Sequence, residues 1–384
     1  MSRWRMVPLG DVLRPVQDAE VVHPERSYPN VGIFGFGRGV FAKPDITGMD
    51  TSAKILYRVR AGQFIYSRLF AFEGAYAVVP PDLDGRFVSN EFPTFDWIEG
   101  SADPGYVAWI FKQPVVWAAI AKLGVGMGDR RRRVHPESLL TFQVPLPPLD
   151  EQRRIAARLD AVSARLQARS VATERQEADL AAMLGQAFAR IAVGRPRARM
   201  ADVAPLVRRP VEVTPDERYL ELGIRSFGRG PFHKPAMSAL EIGNKRLFRI
   251  EPGDLVFNIV FAWEGAVAIA REDDAGRVGS HRFLTCVADE RRVSAEILRF
   301  WFLSPEGLDA LGQASPGGAG RNRTLGLDAL ARIEVPLPSL DAQQWFGEVH
   351  SRATRLRALN ATSSEDATAL LPAMLHDIFG QTAC

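Results

Sequence analysis

The sequence predicts an α+β fold with a pseudo-twofold internal repeat. Two β-rich domains alternate with two long helices, which pair as a coiled coil. Three observations lead to this prediction: the chain repeats itself once, each half starts with short β-type runs, and each half ends in a long helical segment. With 384 residues, of which 46% are hydrophobic, the chain is long enough to bury several cores.

The repeat shows as matching segments at a constant offset. GIFGFGRGVF, which starts at residue 32, returns as GIRSFGRGPF at residue 223, an offset of 191 residues. The same offset aligns FAFEGA with FAWEGA and VPLPPLDEQ with VPLPSLDAQ. A repeat of this length indicates a duplicated domain pair and not a solenoid. We therefore expect β-rich domains and long helices in the order 1–148, 149–192, 193–338 and 339–384.

The β-rich domains are predicted from short β-type runs that glycine and proline separate. KILYRVR, QFIYSRLF and AYAVV, all between residues 54 and 79, are such runs. A helix is expected in WIFKQPVVWAAIAKLG, and Pro114 should break it because proline lacks an N–H donor.

The long helices are predicted from apolar residues at alternating spacings of three and four. Residues 149–192 contain no proline, and Asp150 and Glu151 suit a first helical turn. About forty helical residues span about 60 Å, and such a helix cannot bury its own apolar stripe, so we expect the two stripes to pack on each other. The stripe residues are Ile155, Leu159, Val162, Leu166, Leu180 and Leu184 in the first helix, and Phe346, Val349, Ala353, Leu356, Leu370 and Met374 in the second.

Composition favours a soluble, cytoplasmic protein. No apolar run approaches the roughly 18 to 20 residues that cross a bilayer, so no membrane contact is expected. Cys286 and Cys384 fit neither a disulfide framework nor a zinc-ligand spacing. The net charge of +3 and the pI near 9.0 are a weak indication of an anionic partner.

Close-set glycines at Gly35, Gly37 and Gly39 allow three interpretations. A cofactor loop has to open a helix, yet Lys43 and Pro44 follow, and the second copy replaces Gly35 by Ser226. The second interpretation is a turn in which Gly37 and Gly39 adopt positive φ. The third is a loop that approaches DNA, with Arg38, Lys43 and their counterparts Arg229 and Lys234 at phosphates.

A second candidate is an arginine-bearing segment before each long helix. GMGDRRRRVHPESLL starts at residue 126 and aligns with GGAGRNRTLGLDAL from residue 317. Such a charge run is often only a solvated surface, but its presence in both copies favours DNA phosphate contact. The residues concerned are Arg130, Arg131, Arg132, Arg321, Asn322 and Arg323.

Comparison of the two copies suggests which residues read bases. Positions that are identical in both should serve the fold or backbone contacts, such as Phe70, Glu73, Gly74, Gly85 and Arg86, the last aligned with Arg277. Positions that differ inside matching segments are candidates for base readout, with surface drift as the alternative. These pairs are Ser67 and Asn258, Arg68 and Ile259, Asn90 and His281, and Glu91 and Arg282, whereas Phe72 and Trp263 are expected to be core aromatics.

Catalytic patterns are absent from the sequence. There is no adenine methyltransferase signature, no G-x-x-x-x-G-K-[ST] phosphate loop, and no triad or ligand spacing among the six histidines. We expect no catalytic residue, no bound cofactor and no metal. An enzyme with a degenerate site remains an open alternative.

The β-rich domain followed by VPLPPLDEQRRIAARLD and a long helix, all repeated once, resembles the specificity (S) subunit of type I restriction-modification systems. The resemblance covers essentially the whole chain. It implies two target-recognition domains that read double-stranded DNA and two spacer helices that pair as an antiparallel coiled coil. It also implies two partner methyltransferase subunits that use S-adenosylmethionine to methylate adenine, and ATP-driven motor-nuclease subunits.

The same resemblance implies a bipartite target with a spacer of fixed length. Because the two copies are unusually alike, we expect its half-sites to be nearly palindromic. One departure is that Ser339 and Ala342 stand where the first copy has Pro148 and Glu151. The alternative is a specificity module of another DNA-modification or phage-defence system.

Overall fold

The computed structural model describes residues 4–126, 132–317 and 323–380. By its contacts the chain divides into two units. Unit 1 contains the described residues up to Ala172 and from Ala361 onward, and unit 2 is Thr173–Asn360. Each unit therefore contains one β-rich domain and parts of both long helices. The four-part division drawn from the repeat stays a prediction.

The β-rich domain of unit 1 is built from three small sheets. Their strand orders are β1-β11, β2-β10-β7-β8 and β3-β6-β9-β4-β5, and every pairing is antiparallel except β4 with β9. The strands are β1 Met6–Pro8, β2 Leu13–Val16, β3 Ala19–Val21, β4 Ser27–Ile33, β5 Val40–Thr47, β6 Ile55–Arg58, β7 Phe64–Tyr66, β8 Tyr76–Val78, β9 Phe87–Val88, β10 Thr94–Trp97 and β11 Gln143–Pro145.

The β-rich domain of unit 2 repeats this topology strand for strand. The orders are β12-β22, β13-β21-β18-β19 and β14-β17-β20-β15-β16, and β15 with β20 is the parallel pair. The predicted duplication and the β-rich class are thus confirmed. The strands are β12 Arg197–Arg199, β13 Leu206–Val207, β14 Pro210–Val211, β15 Arg218–Ile224, β16 Pro231–Ser238, β17 Leu247–Arg249, β18 Leu255–Asn258, β19 Val267–Ile269, β20 Val278–Ser280, β21 Phe283–Cys286 and β22 Glu334–Pro336.

Short helices complete each domain, and Pro114 separates two of them as predicted, because it occupies the first turn of the second. They are α1 Pro104–Ile110, α2 Pro114–Ala121, α3 Pro136–Leu140, α5 Met200–Val203, α6 Ala239–Ile242, α7 Ala295–Phe302, α8 Pro305–Gln313 and α9 Leu327–Arg332. Turns of 3-10 helix span Leu9–Asp11, Gly48–Asp50, Ala71–Glu73, Pro81–Leu83, Ala262–Glu264 and Glu272–Asp274.

The long helices are α4, Leu149–Ala192, and α10, Leu340–Phe379. In unit 1 the start of α4 shares a core with the end of α10, where Ile155 and Leu159 belong to the same apolar cluster as Phe379. The Phe379 ring lies 5.6 Å from that of Tyr106 in α1. The two helix segments of unit 1 therefore run antiparallel and pack on the β-rich domain.

Unit 2 pairs the remaining parts of the two helices in the same sense. Phe188, near the end of α4, packs at 5.3 Å from Phe346 near the start of α10. Farther along, the Arg357 guanidinium donates to the Glu177 carboxylate at 2.9 Å. The predicted antiparallel pairing is confirmed in each unit.

One stripe residue was assigned wrongly. Leu370 is 46% exposed, whereas Leu371 packs against the unit 1 core together with Met374. Neighbouring residues of a helix point about 100° apart, so a shift of one position moves a side chain off the contact face. The polar stretch in the middle of α10 left this register open in the sequence.

A buried glutamine explains the repeated PLP-x-L-x-x-Q motif. In unit 1 the Gln152 side chain is 1% exposed; its amide N–H donates to the Pro147 carbonyl and its oxygen accepts from the Asp103 N–H, both at 2.8 Å. In unit 2 Gln343 donates to Pro338 and accepts from the Ser294 N–H, both at 2.9 Å. Each long helix is thus tied by its first turn to its own β-rich domain.

His350 gives unit 2 a predicted sensitivity to acid. Its ring packs against those of Phe300 and Phe346, at 5.9 and 6.1 Å. Burial, and then the nearby Arg299 and Arg357 guanidiniums, lower the pKa of His350 below its usual 6.5, against the opposing effect of Glu296. The unfolded chain therefore takes up this proton first, and stability falls as the pH drops through and below 6.5.

We expect His350→Leu to flatten the loss of melting temperature between about pH 7.5 and about pH 5.5, because the variant has no imidazole to protonate. Leucine is the matched choice, since Leu159 occupies the aligned position of unit 1 and is fully buried. Circular dichroism melts of both proteins across this range give the comparison. Parallel curves for the wild type and the variant would contradict the assignment.

Candidate nucleic-acid interface

The FGRG loop, residues 34–39 in unit 1, connects β4 to β5. The Phe34 N–H donates to the Gly39 carbonyl at 2.9 Å and closes the loop. Gly37 and Gly39 have φ of +64° and +92°, which confirms their predicted positive φ. Because the loop leads into a strand and not into a helix, the cofactor interpretation of these glycines is wrong.

Phe36 in this loop also has a positive φ, +62°, which is uncommon for a residue with a side chain. Its N–H donates to the Glu73 carbonyl at 2.6 Å, and the next N–H, of Gly37, donates to the Gly74 carbonyl at 3.0 Å. These acceptors belong to the EGA turn, residues 70–75. The two glycine-containing motifs of the repeat therefore form one structure that main-chain hydrogen bonds hold together.

Unit 2 reproduces this arrangement in residues 225–230 and 261–266. Phe227 has φ +60° and donates to the Glu264 carbonyl at 2.7 Å, and Gly228 donates to Gly265 at 2.9 Å. The Arg299 side chain, from α7, donates to the Gly228 carbonyl at 3.0 Å and so connects the loop to this helix.

Each FGRG loop carries an exposed arginine beside a phenylalanine ring. Arg38 is exposed, and its guanidinium lies 5.0 Å from the Phe34 ring and 5.8 Å from the Phe36 ring. Arg229 is exposed and lies 5.8 Å from the Phe227 ring. Stacking on an aromatic face leaves the N–H donors at the guanidinium edge available to an anion.

The lysines and the second arginine pair are less free than their sequence suggested. Lys43 is half-buried over the Phe92 ring, and Lys234 makes an ion pair with Glu221 at 3.1 Å. Arg86 is half-buried, 3.9 Å from Asp45, and Arg277 is half-buried in unit 2. These side chains are therefore less accessible to a phosphate than Arg38 and Arg229 are.

A three-segment junction lies next to the EGA turn in unit 1. The Arg68 N–H donates to the Glu91 carbonyl at 2.9 Å, and the Val134 N–H donates to the Arg68 carbonyl at 3.0 Å. Side chains connect the same segments, because Arg133 pairs with the Glu91 carboxylate at 3.1 Å and Arg68 contacts the His135 ring at 3.1 Å. The base-reading candidates and the arginine-bearing segment therefore meet at one place.

The junction recurs in unit 2 with different side chains. Ile259 donates through its N–H to the Arg282 carbonyl, and Leu325 donates to the Ile259 carbonyl, both at 2.9 Å. The aligned main-chain bonds are the same, while the side chains change from Arg68 and Glu91 to Ile259 and Arg282. This combination suits a surface whose shape is constant and whose chemical specificity differs.

Exposure separates the candidates of the junction. Asn90, Arg132, His281 and Arg282 are exposed. Asn258 is half-buried and its side-chain oxygen accepts from the Val260 N–H at 3.2 Å. Arg130, Arg131, Arg321 and Asn322 lie outside the described residues.

Three expectations about side-chain environment are wrong. Ser67 is 1% exposed and its hydroxyl accepts from the Phe70 N–H, so it is not placed to read a base. Phe72 and Trp263, the other two, are half-buried and not core residues.

The Arg323 guanidinium lies 5.3 Å from the Trp263 ring. This candidate phosphate ligand is therefore held on an aromatic surface, as Arg38 is.

The exposed phenylalanines were not among the predicted site residues. Phe36 is 62% exposed and Phe227 is 71% exposed. The repeat did contain a signal, because FGRG is identical in both copies, but nothing in a sequence marks a phenylalanine as left-handed and solvent-facing.

In residues 4–126, 132–317 and 323–380, no group of three or more His, Cys, Asp or Glu side chains could hold a metal ion. Burial raises the pKa of the Cys286 thiol to about 12, so it stays protonated and is a poor nucleophile. None of the helices in these ranges has the length and apolarity to cross a membrane.

Comparison with known proteins gives matches only at the level of structure. The sequence matches no protein-family model, and no curated protein gives a significant match. The fold, however, is that of solved S subunits. The HsdS subunit from Thermoanaerobacter tengcongensis aligns over 98% of this chain and 96% of its own, with 19% sequence identity and a TM-score of 0.57.

Two further structures agree. A chain from a structure of the type I restriction-modification (R-M) system that addresses its complex assembly and conformational transition aligns over 98% of this chain and 97% of its own, with 19% identity and a TM-score of 0.68. The type I R-M S subunit from M. genitalium aligns over 98% and 96%, with 12% identity and a TM-score of 0.51. The predicted resemblance is confirmed for the fold over almost the whole chain.

A pair of glycine substitutions tests the packing of the EGA turn. Gly74 has φ +78°, and a Cβ there would lie 2.3 Å from the Trp117 ring; Gly85 has φ +75° with nothing within 4 Å. We expect Gly85→Ala to lower the free energy of unfolding by about 1 to 2 kcal/mol through φ alone, and Gly74→Ala to lower it by about 1 to 3 kcal/mol more through the clash. Urea denaturation measures both, and equal losses would show that the turn yields at no cost.

Proposed function

We propose that this chain is the non-catalytic DNA specificity subunit of a type I R-M system. The observation that carries the proposal is that both units present the same main-chain scaffold, the FGRG loop with the EGA turn and the adjoining junction, but with different side chains at the junction. Recognition of two related DNA half-sites needs such a constant scaffold with variable side chains. The shared fold with S subunits supports the same conclusion.

Within each unit the side chains divide by chemistry. Arg38 and Arg229 on the loops, and Arg132 at the unit 1 junction, are exposed cations without base-specific geometry and suit phosphate oxygens. Asn90 suits an adenine edge and Arg282 a guanine edge, because each can form paired hydrogen bonds with that base. The less exposed candidates Lys43, Arg86, Lys234, Arg277 and Arg323 are proposed as further phosphate contacts.

The two half-sites should be similar but not identical. The scaffold is the same in both units, which favours related bases at related positions. Arg68, Asn90 and Glu91 differ from their counterparts in unit 2, which favours different bases at a few positions. A nearly palindromic, bipartite target follows, with the long helices setting its spacer.

The long helices supply a surface for protein partners. Val171, Met183, Leu359 and Leu370 are exposed apolar side chains on α4 and α10, between 41% and 69% accessible. Single exposed apolar side chains occur on any protein surface, so what supports partner binding here is the fold shared with a chain from a type I R-M structure that addresses complex assembly. We propose two adenine methyltransferase subunits as these partners, with motor-nuclease subunits added to them. S-adenosylmethionine and ATP would be bound by the partners and not by this chain.

Modified-base mapping tests the proposal directly. Cells that express this chain together with the methyltransferase encoded beside it should carry N6-methyladenine at a bipartite, nearly palindromic motif. The motif should vanish when this chain is omitted. A modification of another chemistry would support the alternative of a different DNA-modification system, and methylation that persists without the chain would refute the specificity role.

A four-residue transplant tests the assignment of base readout to the junction. Unit 1 receives the junction side chains of unit 2 through four substitutions: Arg68→Ile, Asn90→His, Glu91→Arg and Arg133→Thr. Arg133 pairs with Glu91 in the wild type, so these two residues are replaced together. We expect the half-site of unit 1 to change to that of unit 2, which makes the mapped motif symmetric.

The matched control for the transplant is the exchange Met49→Leu with Leu240→Met. These aligned residues are 76% and 92% exposed and lie outside both the loop and the junction. The control should leave the motif unchanged. A transplant that also leaves it unchanged would place base readout elsewhere in the domain.

A further inference from the structure

Phe36 and Phe227 combine exposure with an unfavourable backbone conformation. Each projects an aromatic ring into solvent, 62% and 71% exposed, from a left-handed residue. Glycine would adopt this φ without cost, and a buried position would favour the ring more, so neither folding nor packing accounts for phenylalanine here. Phenylalanine occupies the aligned position in both units, although the two residues before it change from Phe34 and Gly35 to Arg225 and Ser226.

The conformation of each phenylalanine is fixed by its surroundings. The N–H groups of Phe36 and Gly37 both donate to the EGA turn, and Phe227 and Gly228 do the same in unit 2. On its inner edge the Phe36 ring meets Trp117 edge-on, with 6.1 Å between the ring centroids. Because the main chain that carries the ring is already fixed, the residue loses little further conformational entropy when the ring contacts a ligand.

The charges beside each ring indicate an anionic ligand. In unit 1 Arg38 stacks against Phe36, with its guanidinium 5.8 Å from the ring centroid. In unit 2 Arg225 and Arg229 are exposed on the loop, and the Arg271 guanidinium lies near Gly230. In unit 2 the Glu264 carboxylate of the EGA turn accepts from Ser226 at 3.0 Å, whereas in unit 1 the aligned Glu73 carboxylate lies beside Gly35.

We propose that Phe36 and Phe227 are wedges that enter the base stack, one in each DNA half-site, while Arg38 and Arg229 hold the flanking phosphates. An apolar ring can enter between base pairs and unstack them, and a duplex combines such a surface with a phosphate backbone for the arginines. This inference rests on the proposed function, and it assigns the loop a task separate from base readout at the junction.

The test uses the full-length chain without methyltransferase subunits, so that base flipping by an enzyme does not contribute. Selection from a pool of random duplexes supplies the probe, and 2-aminopurine then replaces each adenine of the selected sequence in turn. We expect the wild type to raise the fluorescence several-fold at one step in each half-site. Phe36→Ala should abolish the rise in one half-site only, Phe227→Ala in the other, and each should weaken binding about 10-fold.

Two controls separate the wedge from a general loss of binding. Phe36→Leu keeps an apolar side chain and should retain part of the signal, and the double variant Met49→Ala with Leu240→Ala should retain all of it. Alanine variants that unstack the DNA as the wild type does would overturn the wedge. So would alanine variants that lose a protein partner and keep the unstacking, because the rings would then be a protein contact.

The two proposals can fail independently. If no sequence is selected, or if the wild type unstacks none, the wedge is overturned, and modified-base mapping in cells still decides the specificity role. If mapping finds the bipartite motif and the fluorescence is lost only in the alanine variants, both proposals stand.

Discussion

The position of each long helix depends on one buried side-chain amide. Gln152 and Gln343 use both the donor and the acceptor of the amide, with one bond to the PLP segment before the helix and one to an N–H in the β-rich domain. A buried amide that loses a partner costs about 1 to 3 kcal/mol, so the helix start and the domain surface are held in one register. In unit 1 Trp109 adds a second tie, since its indole N–H donates to Asp160 on α4 at 2.9 Å. The candidate interface of each unit therefore belongs to a domain that is fixed to the start of a long helix.

The candidate interface itself depends on the main chain. The loop, the turn and the junction are joined by N–H and carbonyl groups that all residues except proline possess. This explains why the side chains of the junction differ between two domains of the same topology. It also explains why glycine recurs where it does, since Gly74 and Gly265 have φ of +78° and +76°, a conformation that other residues rarely adopt.

Much of the architecture could be predicted from the sequence, because the repeat, the proline positions and the helical spacing each reflect a single local constraint. The duplication, the β-rich class and the pairing of the two helices follow from such patterns, and the antiparallel sense follows from the resemblance to S subunits. The predictions were wrong where the surrounding structure decides whether a side chain is buried or exposed. Ser67 is polar yet buried, Leu370 lies one residue off the contact face, and Phe36 is exposed although it is aromatic. Whether a side chain faces its own core or the solvent depends on contacts between segments far apart in the chain, which a short motif does not encode.

The two units differ in how they are assembled from the chain. Unit 2 is one continuous stretch, whereas unit 1 needs residues from 361 onward to complete a domain whose strands lie before residue 149. During synthesis from the N-terminus, the β-rich domain of unit 1 is made first but has to wait for the last turns of α10, where Phe379 fills the core beside Tyr106. The domain translated first is thus the one finished last. A chain that ends before Phe379 therefore leaves an open apolar site in unit 1, and exposed apolar surface of this kind is what makes unfinished chains prone to aggregate.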